Sequence, residues 1–154
     1  MKPGTFTQMY VQVVFSPKSR QPLLTPDVRF RIFEYMSGIL TTMNHKSLII
    51  NGYTYHVHIL FGLNPNISVS DTVHDLKRGF TLFINKERIF QNHFSWQDGY
   101  GGFTYSNSQI NDLYLYIQNQ EEHHRKRKFK DEYLELLETN DIAFCDEYLF
   151  EFFE

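Results

Sequence analysis

Cysteine is almost missing from this sequence: Cys145 is the only one, so the chain can form no internal disulfide and no thiolate-based zinc site. Long apolar runs are missing as well, and none approaches the roughly 20 residues of a membrane-spanning helix. Met1 to Tyr10 lacks the basic-then-apolar layout of a signal peptide, so a soluble, cytoplasmic protein without a membrane partner is expected. There is no internal repeat, low-complexity tract or Gly/Ser linker. Positive charge is not in excess either: 15 Lys and Arg against 18 Asp and Glu give a net charge of -3. What the 154 residues do have is 42% hydrophobic and 17% aromatic side chains, enough for one sizeable core and too many for a disordered chain.

The charge is unevenly placed. Asp141, Asp146, Glu147, Glu151 and Glu154 all follow Glu138, which leaves 13 acidic against 15 basic residues before them, a body of +2. The expected organisation is one domain over residues 1–138 and an acidic, aromatic tail over 139–154. A mildly positive body neither requires nor excludes a polyanionic partner, so function has to be read from a site.

Alternation from Thr5 to Phe15, with Val11, Val13 and Phe15 on one face and Tyr10 and Gln12 on the other, predicts a half-buried strand. Thr25-Pro26 opens a helix whose stripe is Val28, Ile32, Tyr35, Met36, Ile39, Leu40 and Met43, with Asn44 as its stop. Leu48 to Asn51 and Tyr53 to Phe61 read as an antiparallel pair of strands turning at Asn51-Gly52. Ser68 with Asp71 resembles a capping box for a second helix, striped by Val69, Val73, Leu76, Phe80 and Ile84. Phe94 to Tyr105 reads as a loop-rich edge strand, and Ser106 to Gln109 as the start of a helix running to about Lys128. A last helix covers Asp131 to Glu138. The fold class is therefore α+β, a ferredoxin-like split β-α-β-β-α-β antiparallel sheet, with a further helix carrying Tyr116 beyond it. Helices on one face of such a sheet leave the other flat and open for a ligand.

Within the strand from Tyr53 to Gly62, odd positions are apolar or aromatic and suit the helix-covered face. His56 and His58 are even, so they project side by side from the other face, close enough to share one metal ion. A third anchor is available on the helix from Ser106, where Tyr116, Gln120 and His124 follow at i, i+4 and i+8 along one flank of the stripe Ile110, Leu113 and Ile117. A histidine-triad hydrolase would need another histidine at Leu60. A cupin-type oxygenase would need a carboxylate and a further histidine on strands, whereas His45, His74, His93, His123 and His124 fall mostly on helices and loops.

Three stretches, His56-Val57-His58-Ile59-Leu60, Trp96-Gln97-Asp98-Gly99-Tyr100-Gly101-Gly102-Phe103 and Tyr116-Ile117-Gln118-Asn119-Gln120-Glu121-Glu122-His123-His124-Arg125, together carry a resemblance. The chain resembles the HUH-type single-tyrosine transposases of small hairpin-ended insertion sequences, including repeat-associated tyrosine transposases. The resemblance implies that His56, His58 and Gln120 hold a divalent cation, Mg2+ or Mn2+, and that Tyr116 is the nucleophile. It implies cleavage and rejoining of single-stranded DNA near a hairpin through a 5′-phosphotyrosine intermediate. It also implies a homodimer in which one subunit's tyrosine helix can complete the other's site. Tyr55 departs from the pattern, standing where the family often has an acidic or amide residue. Lys18, Arg20, Lys77, Arg78, Arg125 and Lys126 are the expected DNA contacts, with aromatics for base stacking. The rival reading is a domesticated relative that binds a DNA or RNA hairpin without cutting it.

Overall fold

The computed structural model describes residues 2–18, 25–90 and 92–153. The first six elements are β1 (Tyr10–Phe15), α1 (Pro26–Thr42), β2 (Lys46–Tyr53), β3 (His56–Gly62), α2 (Val69–Lys86) and β4 (Gly101–Tyr105). They build a four-stranded sheet of order β2-β3-β1-β4 in which every neighbouring pair is antiparallel. Three further helices follow: α3 (Ile110–Gln118), α4 (Gln120–Lys126) and α5 (Phe129–Thr139). The molecule is thus α+β, with five α-helices among the described residues.

The period-two pattern fixes which side chains meet which layer. Val11, Val13 and Phe15 pair with Phe61, Ile59 and Val57 across β1 and β3, and all six are buried. Ile32, Met36 and Leu40 of α1 and Val73, Leu76, Phe80 and Ile84 of α2 belong to the same buried cluster. Each such side chain, fully buried, stabilises the fold by about 1.5–3 kcal/mol. The helix ends match local chemistry: Ser68 Oγ accepts from the Asp71 amide at 3.0 Å, and Asn44 takes a left-handed φ of 59° just past α1. Ser106 and Gln109 form the reciprocal capping box expected of them, at the head of a short 3-10 turn that leads into α3.

Three features differ from the sequence reading. The β2–β3 turn is Thr54-Tyr55, since Tyr53 pairs with His56 and Gly52 with Val57. Gly52 is instead a ladder residue, where a Cβ would meet the His56 carbonyl oxygen at 2.2 Å, so close approach of backbone explains the glycine. The helix expected to run from Ser106 to Lys128 is broken at Asn119, with φ -95° and ψ 26°. There the Asn51 side chain of β2 donates to the carbonyls of Ile117 at 2.9 Å and Gln118 at 3.0 Å, which a continuous helix would have used itself. Finally, the second face of the sheet is not open. Gln12, Val14, His56, His58 and Leu60 are each 0% exposed, lying under α3, α4 and α5.

The final segment also packs against this layer. Phe150 lies 5.0 Å from Tyr133 between ring centroids, and Phe152 5.5 Å from Phe129. Gln97 ties the segment down by accepting from the Glu151 amide at 2.7 Å and donating to the Glu151 carbonyl at 2.9 Å.

Candidate active site

β3 presents His56 and His58 on one face, as the alternation requires, with their rings 5.1 Å apart and nearly perpendicular. The His56 ring lies flat on Phe129 of α5 at 4.0 Å. Its Nε2 meets Gln120 Oε1 at 3.0 Å, while its buried Nδ1 has no hydrogen-bond partner among the described residues. His58 is bonded at both nitrogens: Nδ1 to Gln12 Nε2 at 2.8 Å and Nε2 to Glu132 Oε1 at 2.9 Å.

Glu132 is the centre of the arrangement. Its Oε1 lies 3.5 Å from His56 Nε2 and 3.4 Å from His124 Nε2, besides the His58 contact. Its Oε2 accepts the Tyr116 hydroxyl and, at 3.3 Å, the Gln120 amide. Tyr116, Gln120 and His124 therefore converge with the histidine pair even though a helix break separates the first from the other two.

Burial and charge set the protonation of the cluster. Burial alone would raise the Glu132 carboxyl, but His58, His124 and His56 around it outweigh that and hold it well below the usual carboxylate range. Burial, with the neighbouring His58, pushes His56 well below the ordinary imidazole value, so the ring is neutral. Tyr116 is driven far above the ordinary phenol value, by burial first and then by the Glu132 charge facing it. The cluster therefore keeps a neutral phenol hydrogen-bonded to an ionised carboxylate.

His56, His58 and Glu132 can each turn one donor atom to a common point, these atoms lying within 4.8 Å of one another. Two imidazole nitrogens and a carboxylate oxygen suit Mn2+ and similar borderline cations, while Mg2+ prefers more oxygen. Gln120 stands beside them as an amide oxygen donor. The donor set fits a divalent cation.

The expected nucleic-acid contacts lie elsewhere. Lys18 is exposed, and its backbone amide donates to the Ser95 carbonyl at 3.0 Å; Arg20 lies outside the described residues. The Lys77 ammonium is engaged by the carbonyls of Gln97 at 2.9 Å and Gly99 at 2.6 Å. Arg78 and Lys126 are exposed, and Arg125 faces Glu122 at 3.4 Å on the surface of α4. None of the described cations in this set is among the partners of the buried cluster.

Sequence reasoning missed Glu132 altogether. A signal was available: on α5 the buried residues are Phe129, Glu132, Tyr133 and Leu137, so a carboxylate stands inside an apolar stripe. Such a residue needs a cationic or hydrogen-bonding partner, and a pair of buried histidines supplies it.

The chain belongs to the IS200-like transposase family, whose model, "Transposase IS200 like", matches residues 5–120. Transposases are enzymes, and this membership makes the chain one of an enzyme family. A candidate transposase from Deinococcus radiodurans R1 has a similar structure, with a TM-score of 0.63 at 19% identity, over 78% of this chain and 96% of that one. The REP-associated tyrosine transposase bound to a REP hairpin is similar with a TM-score of 0.59 at 14% identity, over 80% of this chain and 74% of that one. No curated protein sequence matches significantly. At these identities the two structures speak for the fold alone. Among the described residues no helix is long and apolar enough to cross a membrane.

Proposed function

We propose that this protein is a single-stranded DNA transposase that cuts and rejoins DNA beside a hairpin, with Tyr116 as nucleophile. The observation that carries the reading is the convergence of the Tyr116 hydroxyl, both histidines and Gln120 on Glu132. Sheet order and connectivity like those of the ferredoxin-like split motif support it, as does the hairpin bound by the REP-associated relative.

A phosphodiester is anionic and repels an anionic attacker, and a phenol at its ordinary pKa of about 10 is mostly protonated near neutrality. A divalent cation, Mg2+ or Mn2+, held by His56, His58 and Gln120 with Glu132 beside them would neutralise charge on the scissile phosphate. The chain's own residues do the rest. Tyr116 oxygen attacks phosphorus and gives up its proton to Glu132, while the bond to the 3′ oxygen breaks and that oxygen takes up a proton from water, leaving a 5′-phosphotyrosine and a free 3′ hydroxyl. The phenol proton has Glu132 Oε2 as its partner at the start. Because the phosphotyrosine retains the energy of the broken bond, a 3′ hydroxyl can attack it in return and rejoin the strand. Lys18, Arg20, Lys77, Arg78, Arg125 and Lys126 remain the proposed DNA contacts, and a homodimer able to exchange its tyrosine helices the proposed assembly.

The test is incubation with single-stranded hairpin DNA and Mn2+, followed by denaturation. A covalent protein–DNA adduct is expected from the wild type and none from Tyr116→Phe. An adduct undiminished in Tyr116→Phe would overturn the assignment. Hairpin binding without any adduct favours the non-catalytic DNA- or RNA-binding module.

A further inference from the structure

Gln12 sits in the middle of β1, fully buried, with its amide between Tyr105 and His58. The Tyr105 hydroxyl donates to Gln12 Oε1 at 2.6 Å, and Gln12 Nε2 meets His58 Nδ1 at 2.8 Å. On the far side of the ring, His58 Nε2 meets Glu132 Oε1 at 2.9 Å. These bonds form a chain with one direction. An amide nitrogen only donates, so His58 Nδ1 accepts, the ring proton sits on Nε2, and Nε2 donates to the carboxylate. In that state the Nε2 lone pair is not free.

We propose that Gln12 is a positioning residue for His58: it sets which ring nitrogen carries the proton and hence whether Nε2 can bind a divalent cation. The proposal rests on the reading that His58 is a cation ligand. Amide oxygen and nitrogen are close in size, so a half-turn of the Gln12 amide changes its hydrogen bonding at almost constant volume. Turned, it accepts from His58 Nδ1–H through Oε1 and donates through Nε2 to the Tyr105 oxygen. Tyr105 is only partly buried, so its own proton can point to water. No proton is gained or lost by the protein; the ring proton moves from Nε2 to Nδ1, and Nε2 is bared toward Glu132 and His56. A metal-binding imidazole generally donates its other N–H to a fixed acceptor, and Gln12 is the acceptor in place here.

Nothing in sheet packing calls for a glutamine at this point. The opposite face of the same strand carries only Val11, Val13 and Phe15, and beside Gln12 stands Val14, equally buried. An apolar residue would fill the site.

Long-range 1H–15N spectra of the metal-free protein and Mn2+ titrations followed by electron paramagnetic resonance test this together. In the wild type His58 is expected in its Nε2–H form. Gln12→Glu, as the carboxylate, can accept but not donate, so it should place a proton on Nδ1 and bind Mn2+ at least as tightly as the wild type. Gln12→Leu should bind Mn2+ about 10–100-fold more weakly, the usual scale for losing a ligand's supporting partner. Tyr105→Phe, which keeps the ring and the fold, should lose less than Gln12→Leu and show a mixture of His58 tautomers. The same His58 tautomer in the wild type and Gln12→Glu, or wild-type Mn2+ affinity in Gln12→Leu, overturns the proposal. If Gln12→Leu does not fold, the Glu and Tyr105→Phe variants decide. If even the wild type takes up no Mn2+, the cation reading itself fails, while the tautomer comparison still decides what Gln12 does.

Discussion

The two faces of β1 and β3 are equally buried and chemically opposite. Toward α1 and α2 the strands present Val11, Val13, Phe15, Val57, Ile59 and Phe61, a face with no side-chain hydrogen-bonding group. Toward α3, α4 and α5 they present Gln12, His56 and His58, also 0% exposed, whose polar atoms meet named partners except for His56 Nδ1. The first face can only stabilise. Buried polar groups gain little net free energy from their bonds and cost much if unpaired, so stability alone does not account for the second face.

Breaking the apolar face should give the largest change in folding and none in chemistry. Leu76→Ala is expected to lower unfolding free energy by about 2–5 kcal/mol, measured in urea, with Mn2+ affinity unchanged while the protein stays folded. A parallel loss of Mn2+ binding in the folded variant would show that the faces are coupled.

Breaking the polar face should do the reverse. Glu132→Gln keeps shape and an oxygen but removes the charge. Mn2+ affinity should fall by at least about tenfold, the scale on which even the outer partners of a ligand act. A smaller stability change than that of Leu76→Ala is expected. Unaltered Mn2+ affinity would remove Glu132 from the site.

Acid should sharpen the contrast by a smaller amount. The folded chain holds His56 below the ordinary value of about 6.5, through burial and the facing His58, against the opposing pull of Glu132. The unfolded chain therefore takes up that proton first, and stability drops as pH falls below about 6.5. Glu132, held below its ordinary range, adds stability that is present above about 4.3 and disappears as pH falls further. Urea midpoints between pH 7 and 5 should decline in the wild type and decline less in His56→Asn. Equal slopes would place the titrating group elsewhere.

Much of this was legible in the sequence because it is local. The alternation of β1 and β3, the stripes of α1 and α2, and the Ser68 and Ser106 caps depend on residues within a turn or two of each other, and the structure contains each of them. The histidine pair on a common face follows from the same period of two. What could not be read depends on distant groups. The break at Asn119 comes from Asn51, more than 60 residues away, capturing two helix carbonyls. The Asn51-Gly52 dipeptide looks like a turn, yet its glycine is required by the His56 carbonyl pressed against it. The covered second face and Glu132 have one origin: the last helix, whose place over the sheet no local pattern encodes, is the lid over the site and the source of its carboxylate.

Gly101 of β4 packs against that same lid. A Cβ there would meet the Tyr133 hydroxyl oxygen at 2.8 Å, so β4 and α5 touch almost backbone to ring one residue along from Glu132. The segment matched by the family model ends at residue 120, twelve positions short of that carboxylate. Any shortened form that stops at this boundary therefore discards the one anion that faces His56 and His58 among the described residues, and the pocket left behind would greet an incoming cation with uncharged donors alone.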